Sequence, residues 1–192
     1  EVYKISIVLP AKNEAGAIQQ TVKAIKQLNR VDEIIVVNDG STDDTAQIAE
    51  QAGAKVISHP YSKGNGAAIK TGVRNAIGDV IVFMDADGQH DANDILKLIE
   101  KIEQGYDLVV GARQKGSQAS MGRGIANKLY NNLATYMSEH QVEDLTSGFR
   151  AVRAEKFKEF IYLLPNGFSF PSSSIMAFFR AGYSVTYVPI HA

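Results

Sequence analysis

The sequence predicts an α/β fold: a three-layer sandwich with helices covering both faces of a mainly parallel central sheet. As far as Gly111, short and nearly all-apolar runs recur, as strands buried on both faces require. Each of the first four runs is followed by a segment whose apolar residues fall on one helical face. Such alternation builds parallel β-α units. Composition agrees. Of 192 residues, 45% are hydrophobic and 21% charged, with 16 Gly and 5 Pro, which excludes collagen-like, low-complexity and disordered chains.

Ile5 to Leu9 reads as the first strand, and Glu14 to Leu28 as a helix presenting Ile18, Val22, Ile25 and Leu28 on one face. Glu33 to Val37 is the second strand, Asp43 to Ala52 a helix, and Lys55 to Ser58 the third strand. Lys63 to Ala76 is helical, with Ile69 and Val73 four apart, and Val80 to Met84 is the fourth strand. Asp91 to Glu103 is an amphipathic helix with Asp91 as its N-cap, and Asp107 to Gly111 is the fifth strand. Beyond Gly111 the rhythm is lost. Gln114 to Ser120 reads as a mobile polar loop, and Asp144 to Arg153 mixes turn and strand signals. Met121, Ile125, Leu129, Leu133 and Met137 recur every four residues. Core packing is the expectation for that stripe, ahead of a place on a membrane surface. Ser184 to Val188 is a final strand, and without a repeat or a linker residues 1–192 read as one domain.

With no Cys there is no disulfide framework, thiolate nucleophile or cysteine-bound zinc, and an intracellular setting is favoured. No apolar run approaches the ~18 residues of a membrane span, and the start does not resemble a leader. The chain opens on Glu1 and stops abruptly after His191-Ala192, so a piece of a longer protein is expected, and the lack of a membrane anchor here says little about that parent. The net charge of −1 gives no electrostatic case for nucleic acid. It hides a segregation: seven acids and two Lys lie between Asp85 and Asp107, whereas Gly111 to Ser138 carries Arg113, Lys115, Arg123 and Lys128 and no acid. A cation site beside an anion site is one reading, and two solvated faces is the other.

Ligands of open α/β sheets bind beyond the carboxyl ends of the strands. Three strands deliver carboxylates there, in Pro10-Ala11-Lys12-Asn13-Glu14, Asn38-Asp39-Gly40-Ser41-Thr42-Asp43 and Asp85-Ala86-Asp87-Gly88-Gln89-His90-Asp91. Asp85 and Asp87 are two apart where a strand becomes a loop, so both can face one ion. Hard carboxylate oxygens, with Gln89 adding one more, suit Mg²⁺ or Mn²⁺. Lys63-Gly64-Asn65-Gly66 opens a helix and offers a phosphate cradle. Arg113, Arg123 and Arg150 carry forked donors suited to phosphate oxygens. Dinucleotide, P-loop and hydrolase-elbow signatures are missing.

With Gly111-Ala112-Arg113 and Asp144-Leu145-Thr146-Ser147-Gly148-Phe149-Arg150, these six motifs in order resemble the family 2 glycosyltransferases of the Rossmann-like GT-A fold. The similarity is to the dolichyl- and polyprenyl-phosphate sugar synthase branch and runs from Ile5 to Ile190. The resemblance implies a single catalytic domain acting at the cytoplasmic face of a membrane. It places Pro10, Asn13 and Glu14 around the nucleotide, Asp39 on the base, and Lys63 and Gly66 nearby. Asp85, Asp87 and Gln89 would hold Mg²⁺ or Mn²⁺ on the diphosphate of a GDP- or UDP-linked sugar. Arg113, Arg123, Ser147 and Arg150 would clamp a polyprenyl phosphate, with Asp87, Arg113 and Arg150 the catalytic set. Asn38 stands where an Asp is more usual, and no acid follows Glu159, unlike the branch's pattern around Gly167 to Ser174.

The reaction implied is an inverting transfer from a nucleotide diphosphosugar to a polyprenyl monophosphate, an acceptor already largely dianionic near pH 7 because its second pKa is about 6. Two rivals accompany it. One is a transferase acting on a saccharide hydroxyl with Asp144 as base; the other is a nucleotide-sugar binding module without turnover.

Overall fold

The computed structural model describes residues 2–114, 121–138, 142–167 and 170–191. Among them, seven strands form one sheet: β1 (Ile5–Ala11), β2 (Glu33–Asp39), β3 (Lys55–His59), β4 (Val80–Phe83), β5 (Leu108–Arg113), β6 (Arg150–Arg153) and β7 (Val185–Ile190). Their order is β3-β2-β1-β4-β6-β5-β7. β6 runs antiparallel to both β4 and β5, and every other pairing is parallel. β6 is the element that the mixed signals between Asp144 and Arg153 left unassigned. Its register sets Arg150 opposite both Phe83 and Val110, so the segment before it arrives beside the ends of β4 and β5.

Alternation along the strands divides the core. Ile5, Ile7 and Leu9 of β1 join a cluster with Ile18, Val22 and Ile25 of α1 (Ile18–Lys26), Ala49 of α2 (Thr45–Gln51), and Ile95, Leu98, Ile99 and Ile102 of α4 (Asp94–Glu103). Val8 faces the other way, towards Ala68, Ile69 and Val73 of α3 (Asn65–Asn75). That second cluster is completed by α6 (Ala154–Lys158) and α7 (Phe170–Arg180), which supply Phe157, Phe170, Ile175 and Phe178. Asp91 does not cap α4 directly. Its carboxylate accepts from the Asn93 N–H at 2.9 Å, in the turn that leads into the helix.

The stripe after Gly111 forms α5 (Met121–Ser138), as its period requires, but not the expected core contact. Ile125 and Leu129 are each 70% exposed and Leu133 is 53% exposed, while Ala134 is buried. The phenylalanines of α6 and α7 already fill the space on this side of the sheet, so α5 lies outside them. The side chains of Met121 and Met137, and residues 115–120, fall outside the described set. Below α5 opens a groove of about 690 Å³ lined by Tyr130, Leu133, Phe160, Leu163, Met176 and Arg180, among others. Among the described residues no helix is long and apolar enough to cross a membrane.

Replacing Leu129 by Gln, itself a good helix former, is expected to change unfolding free energy by under about 0.5 kcal/mol in urea denaturation. A loss of about 2–5 kcal/mol, as for a core leucine, would contradict this placement.

Candidate active site

The loop after β1 is laced to the loop after β2. Asn13 adopts a left-handed backbone (φ 55°), which an Asn tolerates better than most residues. Its carboxamide oxygen accepts from the Thr42 N–H at 2.8 Å, and its own N–H donates to Ser41 Oγ at 2.9 Å. The Glu14 N–H donates to Thr45 Oγ1, and the Ala15 N–H to Asp43 Oδ2. Asp43 also takes the Thr45 hydroxyl, and that bond, more than any other contact, holds its carboxyl below the usual range. Asn38, in place of the more usual Asp, anchors the same turn by accepting from the Ser41 N–H and donating to Ser58 Oγ.

Asp39 is a hub. Its Oδ1 takes the Lys63 N–H (2.8 Å) and His59 Nδ1 (2.8 Å), and its Oδ2 takes Ser62 Oγ (3.0 Å) and the Gly64 N–H (3.0 Å). His59 Nε2 continues the chain to Thr71 Oγ1 at 2.8 Å. Burial opposes the charge on Asp39, but these donors outweigh it and lower the pKa. A carboxylate has about four lone-pair sites, and all are used inside the chain. Asp39 therefore fixes the 62–64 turn, and a nucleobase could bond it only by displacing one of these donors.

The helix start that the sequence offered as a phosphate cradle is already filled. The Gly66 and Ala67 N–H groups donate to the Asn166 carbonyl at 2.9 and 3.3 Å. A Cβ on Gly66 would lie 2.5 Å from the Pro165 carbonyl oxygen, so glycine there serves a close approach of the chain to itself. Buried Lys70 secures the same junction through the Leu164 carbonyl and Asn166 Oδ1. The Gly66 N–H and the space over its Cα are thus taken by the 165–166 segment. Lys63 stays exposed, its ammonium 5.4 Å from the Tyr61 ring centre.

Acids crowd the edge between the first, second and fourth loops. The Glu14 carboxyl is raised, first by desolvation and then by the charges of Asp87, Asp43 and Asp85. Negative charge here is thus not balanced locally, and hard oxygens carry it. The edge suits a divalent cation, although no three acidic or histidine side chains among the described residues converge into a complete cage. Asp85 and Asp87 would supply two ligands and leave the remaining positions to a ligand's oxygens and water. Asp87 Oδ1 also accepts from the Gln89 N–H, and Gln89 is exposed. His90 reaches Asp85 from below through Nε2. An enclosed cavity of about 20 Å³, room for one water, lies between Pro10, Asn65, Asp85 and Arg150.

The cationic side is less free than the sequence suggests. Arg113 grips Asp144 with both arms, Nε to Oδ2 and Nη2 to Oδ1, each at 2.9 Å, and Nη2 also donates to Thr146 Oγ1. Burial would raise the Asp144 pKa, but Arg113 lowers it further, so this carboxylate is a poor proton acceptor. Asp144 in return raises Arg113, which is 37% exposed and within the field of Asp85. Arg150 is buried. It donates to the carbonyls of Ser147, Pro171 and Leu145 and to Ser174 Oγ, and desolvation pushes its pKa down to about 10. It staples the 145–150 segment to α7, and as placed it presents no open fork to an acceptor. Ser147 is buried beside it, its Oγ taking the Phe149 N–H. Arg123 falls on α5, with its side chain outside the described set.

Comparison with known proteins decides the family. The profile of Glycosyl transferase family 2 matches residues 6–161. The chain belongs to this family. An uncharacterized protein of Methanocaldococcus jannaschii is 33% identical over 196 residues, covering 97% of this chain and 80% of the relative. The undecaprenyl-phosphate 4-deoxy-4-formamido-L-arabinose transferase of Proteus mirabilis is 34% identical over 165 residues, 80% of this chain and 50% of the relative. The chain thus spans about half the length of that transferase. Glucosyl-3-phosphoglycerate synthase of Mycobacterium tuberculosis, solved with Mn²⁺, UDP-glucose and phosphoglyceric acid, superposes with a TM-score of 0.80 at 27% identity, over 99% of this chain and 71% of that one. The family 2 chain has the GT-A architecture of these neighbours.

Residues that sequence reasoning missed are those that hold family motifs in place: His59, Ser62, Thr71, Lys70, Asn166 and Ser174. Their partners lie 12 to 96 positions away, so no local spacing announces them. Pro171 was a readable signal, since proline is favoured in the first turn of a helix and here sits at the second position of α7.

Because Asp144 titrates lower folded than the ~3.9 of an unfolded chain, its contribution to stability is full above that pH and is lost as pH falls through the folded value. Asp144→Asn is expected to cost about 1–3 kcal/mol at pH 7 and to make the stability profile below pH 4 shallower. Urea unfolding between pH 3 and 7 measures both, and an unchanged acid slope would count against the Arg113 pairing.

Proposed function

We propose that this chain transfers a sugar, with inversion, from a nucleotide diphosphosugar to a polyprenyl monophosphate at a membrane surface. The observation that carries the reading is the acidic edge of Glu14, Asp85 and Asp87 beyond the strand ends, with Gly148 against Asp85 Oδ1 and the Arg113–Asp144 pair on the same 144–150 segment. Two anionic reactants can meet across such a boundary. A divalent cation held by Asp85 and Asp87 would neutralise charge developing on the departing diphosphate. The laced loops after β1 and β2 shape the nucleotide side, with Pro10, Asn13 and Glu14 forming its rim.

The acceptor phosphate oxygen attacks the anomeric carbon, the bond from that carbon to the diphosphate oxygen breaks, and nucleoside diphosphate leaves. Attack opposite the leaving group inverts the centre. An acceptor phosphate is largely dianionic near pH 7, so the step needs alignment and positive charge and no proton acceptor. The lowered pKa of Asp144 favours this over a hydroxyl acceptor. The exposed Ile125-Leu129-Leu133 face and the apolar groove beneath it suit an isoprenoid chain or the lipid surface that carries it. The transferase name of the Proteus mirabilis relative, and the Mn²⁺ and UDP-glucose bound to the mycobacterial enzyme, support the same acceptor and donor classes.

A thermal-shift panel of UDP- and GDP-sugars with Mn²⁺ identifies the donor, since a ligand that binds the folded state raises the midpoint. With that donor, radiolabelled sugar is expected on a short-chain polyprenyl phosphate. The transfer should be abolished by EDTA and lowered on the order of 10²–10³-fold by Asp87→Asn. Transfer that survives EDTA would sink the cation assignment. Transfer to a saccharide with the lipid phosphate inert would replace the acceptor, and tight binding without turnover would favour a binding module.

A further inference from the structure

His90 is set unlike an ordinary polar loop residue. Its side chain is 7% exposed, its Nε2 lies 3.2 Å from Asp85 Oδ2, and its ring stands edge-on to Phe149, with centroids 4.8 Å apart at 82°. Its other nitrogen, Nδ1, is buried with no hydrogen-bond partner among the described residues. A carboxylate only accepts, so the geometry assigns the proton to Nε2 and leaves a bare lone pair on Nδ1 in apolar packing. Packing alone would favour an apolar ring at this place, because an unmatched buried nitrogen is unfavourable. The compensating gain must come through Nε2. On the far side of the same carboxylate, Gly148 approaches so closely that a Cβ there would lie 3.0 Å from Asp85 Oδ1. Asp85 is held between a ring that donates to one oxygen and a backbone that crowds the other, while 47% of its side chain stays open to solvent.

We infer that His90 is a positioning residue: its Nε2–H fixes the Asp85 carboxylate in the orientation that receives a divalent cation and the donor diphosphate. The inference rests on the reading of Asp85 given above and assigns His90 no contact with cation or sugar. Outer partners of this kind typically change metal affinity 10- to 100-fold when removed.

The test opposes stability to binding. His90→Phe keeps the ring against Phe149 and removes both nitrogens, whereas His90→Gln returns an N–H donor of similar reach. In the purified chain with UDP and, in parallel, GDP present, Mn²⁺ uptake is followed by loss of the free-ion electron paramagnetic resonance signal, and Tm is measured alongside. His90→Phe is expected to melt at or above the wild-type temperature and to bind Mn²⁺ about tenfold or more weakly. His90→Gln should bind within about threefold of wild type. Unchanged Mn²⁺ binding in His90→Phe overturns the inference and leaves the cation site standing. So does a fall in Tm that tracks the binding loss in both variants, because that is the signature of a packing residue. If the unaltered chain takes up no Mn²⁺ with either nucleotide, the inference falls together with the reading of Asp85.

Discussion

Like-charge repulsion at the ends of parallel strands is the constraint on which this molecule turns. Parallel strands point their carboxyl ends at one edge, and the chain spends that geometry on acids: Glu14 after β1, Asp43 after β2, and Asp85 and Asp87 after β4. Gathering them is unfavourable: the Glu14 carboxyl is raised first by desolvation and then by the charges of Asp87, Asp43 and Asp85. Two acids of the neighbouring loops are engaged internally, Asp39 by four donors and Asp43 by the Thr45 N–H and hydroxyl and the Ala15 N–H. Those left with open oxygens are the ones that a cation or a cationic neighbour can satisfy. The division between internally bonded and open acids separates those that hold the loops from those with oxygens to offer.

The same edge is built from two halves of the chain, joined by buried polar contacts as well as by apolar packing. Lys70 reaches from α3 to residues 164–166, and Arg150 reaches from β6 to Pro171 and Ser174. Neither makes a direct ion pair among the described residues; their bonds go to carbonyls, a carboxamide and a hydroxyl. Burying a cation among neutral acceptors is expensive unless most of its donors are matched. Such contacts fix the relative placement of the parts they join, which is what a site assembled from distant loops requires.

Most of the framework was legible because it is local. Strands β1 to β5 and β7, and helices α1 to α5, follow from runs and periods that a short window contains. What escaped depends on distant partners. β6 is only four residues long, and its place between β4 and β5 is a matter of pairing. α7 hides behind Pro171 and three serines, although Phe170, Ser174, Ile175 and Phe178 keep a helical period. In the site, the motif positions were legible, but the employment of Asp39, Gly66 and Arg150 was not. Type and spacing show that an Arg or a Gly is present. Whether its donors or its empty space face a ligand or another stretch of the same chain depends on residues 20 to 100 positions away.

The antiparallel insertion of β6 has a consequence for the order of assembly. β4 and β5 follow one another with only α4 between them, yet they do not pair; β4 has β1 on one side, but its other side and β5 both wait for β6, some 40 to 70 residues further on. On a ribosome the β3-β2-β1-β4 portion can close first, whereas the β5 and β7 portion has no place to attach until β6 has been synthesised. Closing such loops late is slow and leaves hydrophobic edges unpaired in the interval. The flank carrying the Arg113–Asp144 pair is therefore the last part of this edge to form, and nascent chains halted before Arg153 would carry the acidic rim without it.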